Sequence, residues 1–126
     1  MKNKIILIVE DDQLLNEAYA MILNKERFKT LQANDGLQAL EIIKNHPVDL
    51  ILLDLRMPKM SGLGFLKYFK NNKEISLPKT IVFSNYDLQK DIDKAFKLGA
   101  THYMLKAWAS PKELVKIVKD TLASKK

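Results

Sequence analysis

The chain has 126 residues, 47% of them hydrophobic and 29% charged, with 21 Lys and Arg against 15 Asp and Glu for a formal net charge of +6. That length suits one domain with a core of its own, and the balance is that of an ordinary globular protein. The absence of cysteine excludes a disulfide framework and a thiolate metal site, and two histidines, His46 and His102, leave little for a histidine-rich one.

The first apolar run, Ile5–Val9, is too short for a membrane span or a signal peptide and is followed by Glu10, Asp11 and Asp12. It reads as a buried strand. A helical period follows over Gln13–Lys25, then a strand over Lys29–Ala33 and a helix over 37–45. Asn34-Asp35-Gly36 offers that second helix a polar cap, and Asn45-His46-Pro47 closes it, so His46 reads as an exit-turn residue. Next come a strand over Leu50–Leu53, a helix over Gly62–Asn71, a strand over 80–83 and a helix over 88–98 that Gly99 ends. The last pair is a strand over His102–Leu105 and a helix over Pro111–Ala123, opened by Ser110-Pro111-Lys112-Glu113, a capping box with proline at the first helical position.

Five successive strand–helix units predict an α/β fold. The first, third and fourth strands are nearly continuous in apolar residues, as a parallel sheet covered on both faces requires. Crossover helices between parallel neighbours then lead to a doubly wound, five-stranded parallel sheet flanked by five helices, the (βα)5 flavodoxin-like three-layer sandwich. The expected organisation is one domain over 1–126, with no output domain after it, in the cytoplasm.

In such a sheet ligands bind beyond the carboxyl ends of the strands, where strand order reverses. The residues at those ends carry chemistry: Glu10, Asp11 and Asp12 after the first strand, Asp54 after the third, Ser84 after the fourth and Lys106 after the fifth. Carboxylates brought together there raise the pKa of one of them unless a cation intervenes. Hard oxygen ligands suit Mg²⁺, and a carboxylate beside it is a competent nucleophile for a phosphoryl group. Each residue alone has a plain structural reading, as a helix cap, a turn residue or a surface lysine. Four complementary strand ends out of five favour the functional one.

In order and spacing these blocks resemble the receiver domain of two-component response regulators, over essentially the whole chain. They are Ile6-Leu7-Ile8-Val9-Glu10-Asp11-Asp12, Ala33-Asn34-Asp35-Gly36, Asp49 through Pro58 with Ser61-Gly62, Ile81-Val82-Phe83-Ser84, Leu98-Gly99-Ala100, Tyr103 and Lys106. The resemblance implies that Asp54 is the phosphoacceptor and takes its phosphoryl group from a sensor histidine kinase or a histidine phosphotransfer protein. It implies Mg²⁺, or Mn²⁺ in its place, held by Asp11, Asp54 and the main-chain carbonyl of Arg56, with Glu10 acting through water. Ser84 corresponds to the switch hydroxyl, Tyr103 to the switch aromatic and Lys106 to the lysine that pairs with the phosphoryl oxygens. Asp12 lies outside this set and reads as a helix cap. Such a protein catalyses only its own phosphorylation and dephosphorylation and is not a turnover enzyme.

Three departures stand out. Lys106 is followed by Ala107 where the family usually has proline in a cis peptide, which predicts either a trans bond with an altered loop or a strained cis bond. Asn85 replaces a small residue after the switch hydroxyl. Arg56 and Tyr86, two residues beyond Asp54 and Ser84, are placed to shield an acyl phosphate from water or else to face solvent. Trp108 reads as packing the entry of the last helix.

Lysines at helical spacing, Lys90, Lys94 and Lys97 on the fourth helix and Lys112, Lys116 and Lys119 on the fifth, lie opposite apolar residues. They read as solvated faces. As a functional reading, they dock an unknown downstream partner of acidic character through the surface of helix 4, strand 5 and helix 5. Nucleic acid and membrane are not expected partners: the basic residues are scattered, nearly all lysine, and form no recognition motif. The alternative function is a metal-dependent aspartyl-phosphate phosphohydrolase. That chemistry wants an acid two residues after the nucleophile, and this chain has Arg56.

Overall fold

Strand β1 (Ile5–Val9) enters the sheet centre as an unbroken apolar segment, and α1 (Gln13–Lys25) starts where the Asp12 side chain accepts from the Leu14 and Leu15 amides. β2 (Lys29–Ala33), α2 (Gly36–Asn45) and β3 (Leu50–Leu53) follow, then α3 (Gly62–Asn71), β4 (Lys79–Ser84), α4 (Gln89–Lys97), β5 (His102–Leu105) and α5 (Pro111–Ala123). The computed structural model describes residues 3–85 and 88–124, with Trp108 by its backbone alone. All strands pair in parallel in the order β2-β1-β3-β4-β5, so strand order reverses between β1 and β3.

Side chains alternate across each strand, and the alternation divides the core in two. Ile6, Ile8, Leu50, Leu52, Ile81 and Phe83 pack with Ala20 and Leu23 of α1 and Leu114 and Val118 of α5. Leu7, Val9, Ile51, Leu53 and Val82 face the opposite way, onto α2, α3 and α4. The result is a three-layer sandwich.

The helix ends follow their local chemistry. Asp35, Ser61 and Ser110 accept from Gln38, Gly64 and Glu113 amides to cap α2, α3 and α5. His46 ends α2 with its amide on Ile42 O. α4 closes in a Schellman motif: Gly99, at φ +113°, donates to Phe96 O while Ala100 donates to Ala95 O. Its start is different. Leu88 takes the cap position and supplies no side-chain bond, so α4 is shorter at both ends than its apolar period predicts. Nor is its apolar set wholly inward. Ile92 and Ala95 are buried, but Leu88 and Phe96 are 43% and 44% exposed.

After β5 the chain makes one 3₁₀ turn over Lys106–Trp108 before the Ser110 cap. No cis peptide occurs among the described residues, so Lys106–Ala107 is trans and the loop is the altered one of the two alternatives. The side chain of Trp108 and the whole of Tyr86 lie outside the described residues.

Candidate functional site

At the carboxyl edge of the sheet, a cavity of about 260 Å³ is lined by Glu10, Asp11, Asp12, Asp54, Arg56, Ser84, Asn85 and Lys106. The alternation that orders the core explains who points where. Continuing the rows Ile6–Ile8, Leu50–Leu52 and Met104 by one step brings Glu10, Asp54 and Lys106 onto the α1/α5 face. Ser84 follows Val82 instead, onto the face that also holds Tyr103, its neighbour across the β4–β5 ladder by way of the Val82–Tyr103 pair.

The Asp54 carboxylate is held at both oxygens. Oδ1 accepts from the Arg56 amide at 3.3 Å, and Oδ2 accepts from Lys106 Nζ at 3.3 Å. Lys106 also donates to Glu10 Oε1, and Glu10 Oε2 accepts from the Asp12 amide at 3.1 Å. The ammonium therefore sits between two buried carboxylates as their counter-charge. Burial, more than the neighbouring acid, pushes the Glu10 carboxyl above its usual range, against the hydrogen bond from Lys106. The charge of Asp54 adds to that rise as the smallest of its causes, opposed by the Lys106 ammonium between the two acids. Burial pulls Lys106 down, but the bond to Glu10 and the charge of Asp54 outweigh it and leave the ammonium more firmly protonated.

Asp11 is exposed at the cavity mouth. One oxygen from each of Glu10, Asp11 and Asp54 lies within 4.8 Å of the others. Three carboxylates of this kind, one open to solvent and two at the cavity wall, form an all-oxygen donor set that fits a hard divalent cation. Asp12 points elsewhere, into its cap.

The loop after β3 is pinned from beneath. Gly62 donates to Leu55 O at 3.0 Å, and a Cβ on Gly62 would overlap the Asp54 carbonyl. Only glycine lets the first turn of α3 lie this close to the Asp54 backbone. Arg56 projects outward from that loop, and its guanidinium pairs with Asp91 of α4 at 3.7 Å.

Two residues near the site escape the sequence reading. Tyr19 of α1 packs beside Phe83 with ring centroids 4.9 Å apart and helps line a small space under Lys106 with Glu10 and Leu52. Asn16 is fully buried beneath Glu10. A signal for Asn16 is present in the sequence: it is the polar member of the stripe Asn16, Ala20, Leu23 that α1 turns inward. Among the described residues, no helix is long and apolar enough to cross a membrane.

Comparison with known proteins places the chain among relatives of one kind. The family model described as the response regulator receiver domain matches residues 6–119. The polar-differentiation response regulator DivK of Brucella ovis is 28% identical over 109 residues, which cover 86% of this chain and 89% of that protein. The crystal structure of a CheY-like response regulator receiver domain protein from Methanospirillum hungatei superposes with a TM-score of 0.86 at 28% identity, covering 96% of this chain and 94% of that one. The receiver domain of Francisella response regulator 1452 gives a TM-score of 0.85 at 26% identity, with 95% and 97% covered.

Proposed function

This chain belongs to the response regulator receiver domain family, and we propose that it accepts a phosphoryl group on Asp54 from a phosphohistidine and passes the change to a partner protein. As a receiver domain it serves two-component signalling, which implies a histidine kinase or a histidine phosphotransfer protein as donor. The single observation that carries the residue-level reading is the gathering of Glu10, Asp11, Asp54, Ser84 and Lys106 around one cavity.

In this reading a carboxylate oxygen of Asp54 bonds to phosphorus as the P–N bond to the donor histidine breaks, and the histidine nitrogen keeps the bonding pair. The product is an acyl phosphate. Hydrolysis restores the carboxylate, with water supplying the oxygen that leaves as inorganic phosphate. Transfer of this kind depends on positioning and charge stabilisation. The Arg56 amide and Lys106 orient the Asp54 carboxylate, and Lys106 then pairs with phosphoryl oxygens. The Ser84 hydroxyl donates to one of those oxygens from the opposite face of the sheet, and Tyr103 on that face responds to its movement. Asp11, Asp54 and the Arg56 carbonyl would hold Mg²⁺ or Mn²⁺, with Glu10 acting through water. That ion, when bound, neutralises the acids and the incoming phosphoryl charge. Arg56, with Tyr86, slows the entry of water.

A phosphohydrolase reading is disfavoured because a guanidinium two residues after the nucleophile has no proton to give near neutral pH. The output surface is read as α4, β5 and α5, for a partner of acidic character. On α5, Lys116 pairs with Asp120 at 2.8 Å and Lys119 with Glu26 at 3.1 Å. This favours the α4 lysines, Lys90, Lys94 and Lys97, as the docking charges. Partner binding that survives reversal of those charges would exclude this surface.

The test of the acceptor is direct. The protein and Asp54→Asn are incubated with Mg²⁺ and acetyl phosphate, and intact masses are read. A gain of one phosphoryl mass only in the unsubstituted protein is expected; a gain in both, or in neither, removes Asp54 from the role.

A further inference from the structure

β1 ends its ladder with β2 at the Val9–Ala33 pair, and one further backbone bond runs from the Glu10 amide to Ala33 O at 3.0 Å. Beyond that point the Glu10 carbonyl turns away from the sheet, toward α1, where water does not reach. A buried carbonyl without a donor costs about 1–3 kcal/mol, so a partner is required. Asn16 supplies it. Its Nδ2 donates to Glu10 O and to Ala33 O, each at 3.0 Å, and lies 3.5 Å from Ile8 O. Its Oδ1 accepts from Gln32 Nε2 of β2 at 2.8 Å. The two carbonyls fix which way the carboxamide faces, because a flipped amide would set its oxygen against them, and Gln32 then presents its NH₂ to the Asn16 oxygen.

We propose that Asn16 is the positioning residue of the acid pocket: its buried carboxamide clamps the Glu10 peptide to the end of β2 and so holds Glu10 and Asp11 in the placement that binds a divalent cation. This rests on the reading of the pocket as a Mg²⁺ site. Glu10 and Asp11 leave the chain on either side of the clamped peptide, so a rotation of that peptide carries both carboxylates away from Asp54. A side chain that served packing alone at this stripe position would be apolar, as Ala20 and Leu23 are one and two turns on. Gln32 is exposed, and its amide reaches inward to Asn16.

The experiment titrates Mg²⁺ into the protein, Asn16→Leu, Gln32→Ala and the control Leu23→Ala, following backbone amide shifts, with the urea stability of each measured beside it. Leu23 is buried on the same helix and has no bond to the pocket. Removal of an orienting partner of a metal site typically weakens binding about tenfold or more, and that loss is expected for Asn16→Leu. Gln32→Ala shifts affinity in the same direction by a smaller factor, and Leu23→Ala loses stability while keeping the parent affinity. Parent affinity in Asn16→Leu, or an equal loss in Leu23→Ala, overturns the proposal. If Asn16→Leu does not fold, Gln32→Ala decides: an unchanged Mg²⁺ affinity there overturns it. Failure of the unsubstituted protein to bind Mg²⁺ defeats the metal reading itself, an outcome distinct from the other two.

Discussion

Helices α1 and α4 pack on opposite faces of the sheet and are held very differently. α1 has 13 residues, a side-chain cap at Asp12 and a buried stripe that includes the hydrogen-bonded Asn16. α4 has 9 residues and no side-chain cap, and buries only Ile92 and Ala95. The Arg56–Asp91 pair ties its first turn to the loop after β3 through partly exposed groups, a type of contact worth about 0–1 kcal/mol. The difference is one of cost: displacing α1 breaks buried hydrogen bonds and core packing, whereas displacing α4 breaks little. Elements that move in a switch are drawn from the low-stability end of a structure. In the proposed switch, α4 is then the helix with less to lose on moving.

The contrast can be broken at several points. Leu23→Ala on α1 should cost about 3 kcal/mol, against about 2 kcal/mol for Ile92→Ala, whose site at the rim lets water or neighbours fill the gap; urea midpoints compare the two, and equal losses would remove the asymmetry. The caps should respond with opposite signs. Asp12→Ala should destabilise by about 1 kcal/mol and Leu88→Asp should stabilise by about as much, since Leu88 already has the extended backbone of a cap residue. Thermal denaturation of both variants tests this. Native-state hydrogen exchange sharpens it further: amides of α4 should exchange through a local opening, and those of α1 only with global unfolding. The smallest effect belongs to Arg56→Ala, which should change stability by no more than about 0.5 kcal/mol. It should nonetheless shorten the lifetime of the phosphorylated form, followed by the decay of the phosphoryl mass; an unchanged decay would leave Arg56 no part in shielding.

Much of this was legible from residue order. β1 and β3 rest on unbroken apolar runs and α5 on its capping box; β1, β2, β3, β5, α1, α3 and α5 lie where their sequence patterns place them, and β4 extends one residue further at each end. The residues at the strand ends could be located because parallel strands all point one way. What was not legible depended on contacts between distant segments. That Lys106 would reach both Glu10 and Asp54 from a trans, 3₁₀ loop follows from packing the loop against α1, and no local pattern encodes it. Leu88 and Phe96 share the apolar side of the fourth helical segment yet stay half exposed, because period alone does not know how wide the groove under α4 is. Asn16 was hidden by its neighbours, since one polar residue on an apolar stripe looks like noise until the carbonyls it serves are in view.

One further consequence follows from the pleat at the carboxyl edge. Glu10, Asp54 and Lys106 continue the rows that face α1 and α5, while Ser84 continues the row of Val82 on the other face and still reaches the same cavity. In the proposed switch, Ser84 is the β4 hydroxyl that shares this cavity with Asp54, and Arg56, paired with Asp91, gives the same edge a second link to α4.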